Sequence, residues 1–447
     1  MPAPLQSSKK SIRSLIALAA SAGLFSVAVA WQNVPKINND PFKPLPASNQ
    51  AAPRFWKGNL HTHSLWSDGD DFPEMIADWY KRHDYHFLAL TDHNVLSEGE
   101  RWVDAAPENL TRSEAIKKYV ARFGEQWVER RTLKDKPQIR LKPLREFRSM
   151  LDESDRFTLI PGEEISHRFG TLPVHMNGIN LRDPIIPISA DGVAEMIRVN
   201  LGAVADQRKR TGWRNISFVN HPNFGWGVRA EDMVILDELR YFEIFNGHPS
   251  VRNYGDATHV STEQMWDIVL ALRLGKHKLP LVYGMATDDA HGYHVYGVGK
   301  VNPGRGWVMV RAPYLSAEAI VRGLESGDFY CSSGVKLEDF GRKGNELRIA
   351  IKGEEGVRFK TQFIATLRSA SLDSEPRLDK DGKPLTVTRV YSNDVGKVIA
   401  ESDDLNPTYV MTGQELYVRA KIISTKLHAN PFQKGDVEVA WTQPVAP

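Results

Sequence analysis

The segment GNLHTHSLWSDGDD, residues 58–71, sets His61 and His63 two positions apart and follows them with Asp68, Asp70 and Asp71 around Gly69. Side chains alternate along an extended chain, so His61 and His63 project to one face and can offer two imidazole nitrogens to one cation. Alone, an H-x-H pair is equally well an ordinary surface or hydrogen-bonded pair, because a period of two aligns any such residues. Further donors follow: Asp92 and His93 in LTDHN, Glu163 and Glu164 in PGEEIS, His175 in VHMNG, His221 in NHP, and Asp289 and His291 in DDAH. Nitrogen and carboxylate donors in this mixture suit zinc, manganese or iron, and the lack of nearby thiols argues against a closed structural zinc site. As mutually satisfied polar groups they would be costly to bury without a cation to neutralise the carboxylates.

The elements that must position these donors can be traced around them. DFPEMIADWYKRHDY predicts a helix with Asp71 as N-cap, Pro73 in the first turn and Met75, Ile76, Trp79 and Tyr80 at helical spacing. HFLALTDHN follows as a short apolar run without polar alternation, the pattern of a strand buried on both faces of a parallel sheet. Runs of the same kind recur in FTLIPGEE, ISFVNHP, YFEIFNG and PLVYGMATDDAH, each stopping at Glu, His, Asn or Asp. In parallel α/β barrels the strand ends at one rim carry the chemistry while the strand bodies fill the core, so these polar groups are expected to converge.

From HTHS with SDG, through LTDHN, PGEEIS, a lone His and NHP, to the DAH ending, the chain resembles the polymerase and histidinol phosphatase (PHP) family over residues 55 to 336. The resemblance implies a distorted seven-stranded α/β barrel, (β/α)7, that hydrolyses phosphate esters, mono- or diesters, with water activated by two to three divalent ions (Zn, Mn or Fe). Position by position it implies a first metal held by His61, His63, Glu164 and Asp289. A second would take Glu164 as a bridge with His175 and His221, and a third Asp68, His93 and His291. Glu164 is preferred over Glu163 because the family ligand stands directly before an apolar residue and Ser, here Ile165 and Ser166; Glu163 is the alternative. Asp92 is the catalytic candidate, as a group that orients its neighbourhood more than one that binds metal.

Three residues are candidate substrate contacts. Arg168 in SHRFG can meet an anionic oxygen through paired hydrogen bonds or stand as a surface arginine. Trp226 in NFGWG would form an apolar wall, and Asn246 in IFNG would donate a hydrogen bond. His83, His86, His259, His277 and His428 have no such motif around them and are read as structural.

Residues 97–157 are an insertion relative to the compact family pattern. Thr111 and Glu114 suggest a capping box there, with Ile116, Tyr119, Val120, Phe123 and Trp127 on one helical face. Its basic run, Lys134, Lys136, Arg140, Lys142, Arg145 and Arg148, is either a lid that attracts an anionic substrate or a solvated basic face. A helix capped by Ser316 closes the family domain, expected over 54–336. Leu347, Ile349 and Ile351, then Leu416, Val418, Ala420 and Ile422, alternate with polar neighbours, which predicts an antiparallel β domain over 337–447.

At the other end, Lys9, Lys10 and Arg13 precede an apolar run over 15–30 that closes on Ala28-Val29-Ala30. A bilayer core needs about 20 apolar residues, so this reads as a signal peptide, 1–30, cleaved before Trp31. Export to a periplasmic or extracellular compartment, with no stable membrane insertion after cleavage, is expected. A Pro-rich linker covers 31–53. With 57 basic and 55 acidic side chains the formal charge is +2, which gives no field for nucleic acid. A small anionic molecule is the expected partner, and the sequence leaves the oligomeric state open. Two other functions remain open: hydrolysis of carbamates or carboxylic esters on the same fold, and a non-catalytic metal-binding surface protein.

Overall fold

The structure, a computed structural model, describes residues 52–447; the expected signal peptide and nearly all of the expected linker lie outside the described residues. The first strand, β1 (Arg54–Asn59), runs into the HTHS segment. Helix α1 (Pro73–Arg82) begins with Pro73 in its first turn, as expected, but its N-cap is Phe72, and Asp71 instead accepts the Phe72 N–H. Strand β2 (Phe87–Leu90) follows, buried at all four positions.

The insertion folds as β3 (Arg101–Asp104), α2 (Leu110–Phe123), β4 (Arg130–Leu133), β5 (Lys136–Leu141) and α3 (Leu144–Leu151), with its strands in a small antiparallel sheet of order β3-β5-β4. The Asn109 side chain caps α2 by accepting the Arg112 N–H at 2.9 Å, so Thr111 lies inside the helix and the expected capping box is absent.

Beyond the insertion come β6 (Thr158–Phe169), β7 (Leu172–Ile179), α4 (Val193–Thr211), β8 (Ile216–Val219), α5 (Ala230–Val234), β9 (Tyr241–Asn246), α6 (Thr262–Ala271) and β10 (Tyr283–Thr287). Then β11 (Trp307–Ala312), α7 (Ala317–Glu325) and β12 (Phe329–Ser332) close this part of the chain, with Ser316 capping α7 as expected. The final segment is β13 (Leu337–Lys343), β14 (Glu346–Ile351), β15 (Phe359–Leu367), β16 (Ser374–Glu375), β17 (Val390–Tyr391), β18 (Lys397–Ser402), β19 (Thr408–Val410), β20 (Glu415–Leu427) and β21 (Val437–Thr442), all in antiparallel pairings.

Thirteen strands form one sheet in the order β10-β9-β8-β7-β6-β2-β1-β11-β12-β21-β20-β15-β18. The β1-β2-β6 and β8-β9-β10 pairings are parallel. A hairpin, β6-β7, and the antiparallel β7-β8 pairing lie between them.

The seven-stranded barrel expected from the sequence is not seen as a closed ladder. The edge of β1 that β10 would need is occupied by β11 along residues 54–58. On β10, the Gln443 side chain instead accepts from the Gly284 N–H and donates to its carbonyl, both at 2.9 Å. Only past the strand ends do β1 and β10 meet, where Asp289 N–H donates to the His61 carbonyl at 3.0 Å and His63 N–H to the Ala290 carbonyl at 2.9 Å.

The main core is apolar and continuous, including Trp56, Phe87, Ile160, Ile244, Val269, Val282 and Val310, so the strand bodies are rigid mounts for whatever their ends carry. A smaller core joins Ala115, Tyr119, Val128, Ile139 and Leu141 of the insertion to Leu65, Trp66 and Phe72 of the segment bearing Asp68. The insertion thus braces that segment.

Candidate metal centre

Apart from Asp68, which lies in the turns between β1 and α1, the predicted ligands stand within a strand or a few residues past its end. Thr62 bridges to Ala290 and His93 to Glu164, both in parallel sense, which sets the HTHS, TDHN, EEIS and DDAH motifs side by side. His175 comes from β7, opposite Ser166 across the hairpin, and His221 follows β8 in a turn with φ of 21°.

The structure brings all nine expected ligands together. Their ligand-type atoms fall into four overlapping groups within 4.8 Å: His63, Asp68, His93 and His291; His61, His221 and Asp289; His61, His63 and Glu164; and His93, Glu164 and His175. Glu164 is central, with Oε1 3.0 Å from His175 Nδ1 and 3.1 Å from His221 Nε2, and Oε2 2.7 Å from His93 Nδ1. Asp289 Oδ1 lies 3.2 Å from His61 Nε2 and 3.1 Å from His63 Nε2. The grouping expected for Asp68, His93 and His291 recurs with His63 added, whereas His221 groups with His61 and Asp289. Glu163 points elsewhere, accepting the Ile185 N–H, as strand alternation requires of Glu164's neighbour.

Burial alone would raise the Glu164 carboxyl, but the imidazoles of His175, His61 and His93 hold it well below the usual carboxylate range. Asp289 is held down in the same way, chiefly by His61, His63 and His291 against its burial. Burial, reinforced by His291, lowers His63 to about 3, so this imidazole is neutral and keeps a lone pair.

Three buried atoms here, His61 Nε2, His63 Nε2 and Glu164 Oε2, have no hydrogen-bond partner. A buried polar atom left unpaired costs roughly 1–3 kcal/mol. A divalent cation would satisfy all three, so the donor set fits metal, with no thiol within it.

The expected supporting residues divide differently. Asp92 does not line the cavity between the ligands: its carboxylate is buried and accepts from Ser64 N–H and Oγ, both at 2.8 Å, and from Ser67 Oγ at 2.6 Å. Burial raises its pKa, with those bonds opposing. Asp92 therefore holds the segment after His63 and, as a group that orients its neighbourhood, stands outside the cavity. Asn246 is likewise fully buried, donating to Glu243 Oε2 at 2.8 Å and Asp289 Oδ2 at 3.1 Å, so it has no free N–H for substrate. Trp226, turned away by a φ of 54°, stacks on His259 at 3.7 Å; the aromatic wall of the cavity is Phe224, two residues earlier. Arg168 is exposed on the β6-β7 hairpin and does not line the cavity.

Two residues that the sequence did not single out belong here. Glu243, within YFEIFNG, sits 2.7 Å from His61 Nδ1 and also accepts Thr287 Oγ1 at 2.6 Å and the His221 N–H at 2.7 Å. It takes the proton side of the His61 ring, which turns the Nε2 lone pair toward the cluster. His248, one residue past that motif, lines the cavity. The cavity is about 240 Å³, walled by seven of the expected ligands with Phe224 and His248, and no residue of 97–157 lines it. Four of the six residues in the insertion's basic run are already paired: Arg140 with Glu129 and Glu146, Lys142 with Glu129, Arg145 with Glu98, and Arg148 with Asp152.

No family model and no curated protein matches the sequence. Among solved structures, the chain is similar to a two-domain protein from Bacteroides vulgatus containing a predicted PHP-like metal-dependent phosphoesterase, at 14% identity over 88% of this chain and 95% of that one, TM-score 0.35. It is also similar to a protein from Bifidobacterium adolescentis, described as a candidate metal-dependent phosphoesterase, at 14% identity over 56% of this chain and 91% of that one, TM-score 0.28. A third is an amidohydrolase from Chromobacterium violaceum, its structure holding sulfate and no metal, at 18% identity over 53% of this chain and 87% of that one, TM-score 0.25. TM-scores this low assign neither fold nor activity to the chain.

Proposed function

We propose that the chain is a metal-dependent hydrolase of phosphate esters, with His61, His63, Asp68, His93, Glu164, His175, His221, Asp289 and His291 as ligands to two or three divalent ions. The observation that carries this reading is the convergence of these nine side chains around three buried, unpartnered donor atoms. The ordered motifs of the PHP resemblance point the same way, and the meeting of β1 and β10 past their ends is compatible with a distorted seven-stranded barrel.

When bound, the ions supply positive charge for the phosphate oxygens and acidify water, as paired metals do in phosphoryl transfer. The chain's own part is placement. Glu243 fixes the His61 ring, and Asn246 ties Asp289 to Glu243. Asp92 holds Ser64 and Ser67, which follow His63, and Phe224 gives the cavity an apolar wall. In this reading water is the nucleophile, since the lining residues offer no hydroxyl or thiol and their carboxylates, with every imidazole but His248, are assigned to metal.

The family domain over 54–336, the antiparallel domain over 337–447 and export of the chain are parts of the same reading. Export rests on the sequence of residues 1–30 alone; among the described residues no helix is long and apolar enough to cross a membrane.

The test is hydrolysis by residues 31–447 of an aryl phosphate monoester, an aryl phosphodiester and an aryl carbamate, each with zinc, manganese or iron. Phosphate ester turnover that is lost in His175→Ala is the expected result. Turnover of the carbamate alone would replace this reading with carbonyl chemistry.

A further inference from the structure

We propose that His248 is the substrate-binding imidazole of the cavity, a neutral side chain whose Nε2–H donates to an oxygen of the bound phosphate ester. This rests on the phosphate ester reading above.

Of the residues that line the cavity, Asp68, His93, Glu164, His175, His221, Asp289 and His291 all belong to the groups of converging ligand atoms, and Phe224 is apolar. His248 is the one lining residue with a polar side chain outside those groups. Its ring stands edge-on to His291, with centroids 5.2 Å apart and planes at 68°. No lysine or arginine lines the cavity, and Arg168, the guanidinium the sequence offers for this task, lies elsewhere. Among the lining side chains, His248 is therefore the one donor left for a phosphate oxygen not taken up by metal.

The tautomer is fixed locally. His248 Nδ1 accepts the backbone N–H of Ser250 at 3.2 Å, which leaves the proton of the neutral ring on Nε2. The backbone is fixed as well. Asn246 Oδ1 accepts the His248 N–H at 2.8 Å, and the Val251 N–H donates to the His248 carbonyl at 3.0 Å. Gly247 brings the turn so close to β10 that a Cβ there would lie 2.7 Å from the Asp288 carbonyl oxygen. Since Asn246 also binds Asp289, the side chain that sets the His248 backbone holds a predicted metal ligand too. The ring is thus held in register with the metal centre without joining it. Such a preset donor is what an anionic oxygen needs.

The test uses residues 31–447 loaded with manganese, comparing wild type, His248→Ala and His248→Gln. Metal per chain is counted by inductively coupled plasma mass spectrometry, and inorganic phosphate is then titrated calorimetrically. Both variants are expected to keep the wild-type metal count. His248→Ala should bind phosphate about 10- to 100-fold more weakly, the loss expected for one hydrogen bond to a charged group. His248→Gln, which retains an N–H on a flexible side chain, should recover part of that loss, and it supplies the comparison if the alanine variant does not fold. A lower metal count in either variant would make His248 a ligand and overturn the proposal, as would wild-type phosphate affinity in both. A wild-type protein that holds metal and binds no phosphate would sink the phosphate ester reading, and this inference with it.

Discussion

Asp267, Tyr417 and Arg419 form a buried cluster of charge between α6 and β20, and the nine side chains at the strand ends form another. In the first, Asp267 Oδ1 accepts Tyr417 Oη and Arg419 Nε, both at 2.8 Å, while Oδ2 accepts Arg419 Nη2 at 2.6 Å. Both Asp267 oxygens are thus satisfied within the cluster; the guanidinium also lies 4.8 Å from the centre of the Trp266 ring, and its Nη1, without a hydrogen-bond partner, faces the Glu263 carboxylate at 3.9 Å. In the second, two buried carboxylates and a ring of imidazoles crowd together, yet His61 Nε2, His63 Nε2 and Glu164 Oε2 make no hydrogen bond. The carboxylate of the first cluster is spent on holding elements together. The second is held in place from behind by Glu243, Asn246 and Asp92, and leaves its inner atoms free for something the chain does not contain.

The comparison breaks most visibly at Glu164. Glu164→Gln is expected to leave the protein folded and to lower phosphate ester turnover on the order of a thousandfold, as loss of several kcal/mol of charge stabilisation requires. Steady-state kinetics at saturating metal would measure it. Asp267→Ala should do the opposite. It strands the Arg419 guanidinium and should cost about 3–5 kcal/mol in stability, measured by denaturant unfolding, with unchanged metal content in the protein that remains folded. Glu243→Gln sharpens the distinction, because it keeps the ligands and removes the carboxylate behind His61; a fall of about 10- to 100-fold in metal affinity is expected from competition with a chelating dye.

The smallest effect concerns Glu74, buried beneath the insertion, where Tyr119 Oη donates at 2.6 Å. Burial raises its pKa from 4.5 to about 7 against that bond. The folded state therefore binds the extra proton, and its stabilising contribution, present below pH 4.5, is lost as pH rises through 7. Glu74→Gln should flatten the fall in stability across that window, measured by unfolding at a series of pH values.

Much of the rim was legible because polar residues that end apolar strands have few places to go. HTH, TDHN, EE, NHP and DDAH each mark a side chain of the cluster, and the preference for Glu164 over Glu163 follows from the family pattern, in which the acid stands directly before an apolar residue and Ser. What the motifs do not encode is distance between strands, so the company His221 keeps emerged only from the packing. Glu243 escaped notice because it lies inside its apolar run, where a polar residue looks like part of the strand body. Trp226 and Asn246 were misplaced for local reasons: a left-handed backbone turns the first away, and two carboxylates engage the second.

The open ladder depends on β11 taking the edge of β1, which no local pattern records. On β20 the alternation of Leu416, Val418, Ala420 and Ile422 suggested one polar face, yet Tyr417 and Arg419 are buried too, because α6 covers that face and offers Asp267.

Native mass spectrometry of residues 31–447, stripped with chelator and then titrated with zinc, manganese or iron, tests the central claim most directly. More than one divalent ion per folded chain is expected, with fewer in Glu164→Gln. A folded wild-type chain that takes up no ion would contradict it, and would mean that the open cluster, like Asp267 and Arg419, serves only the fold.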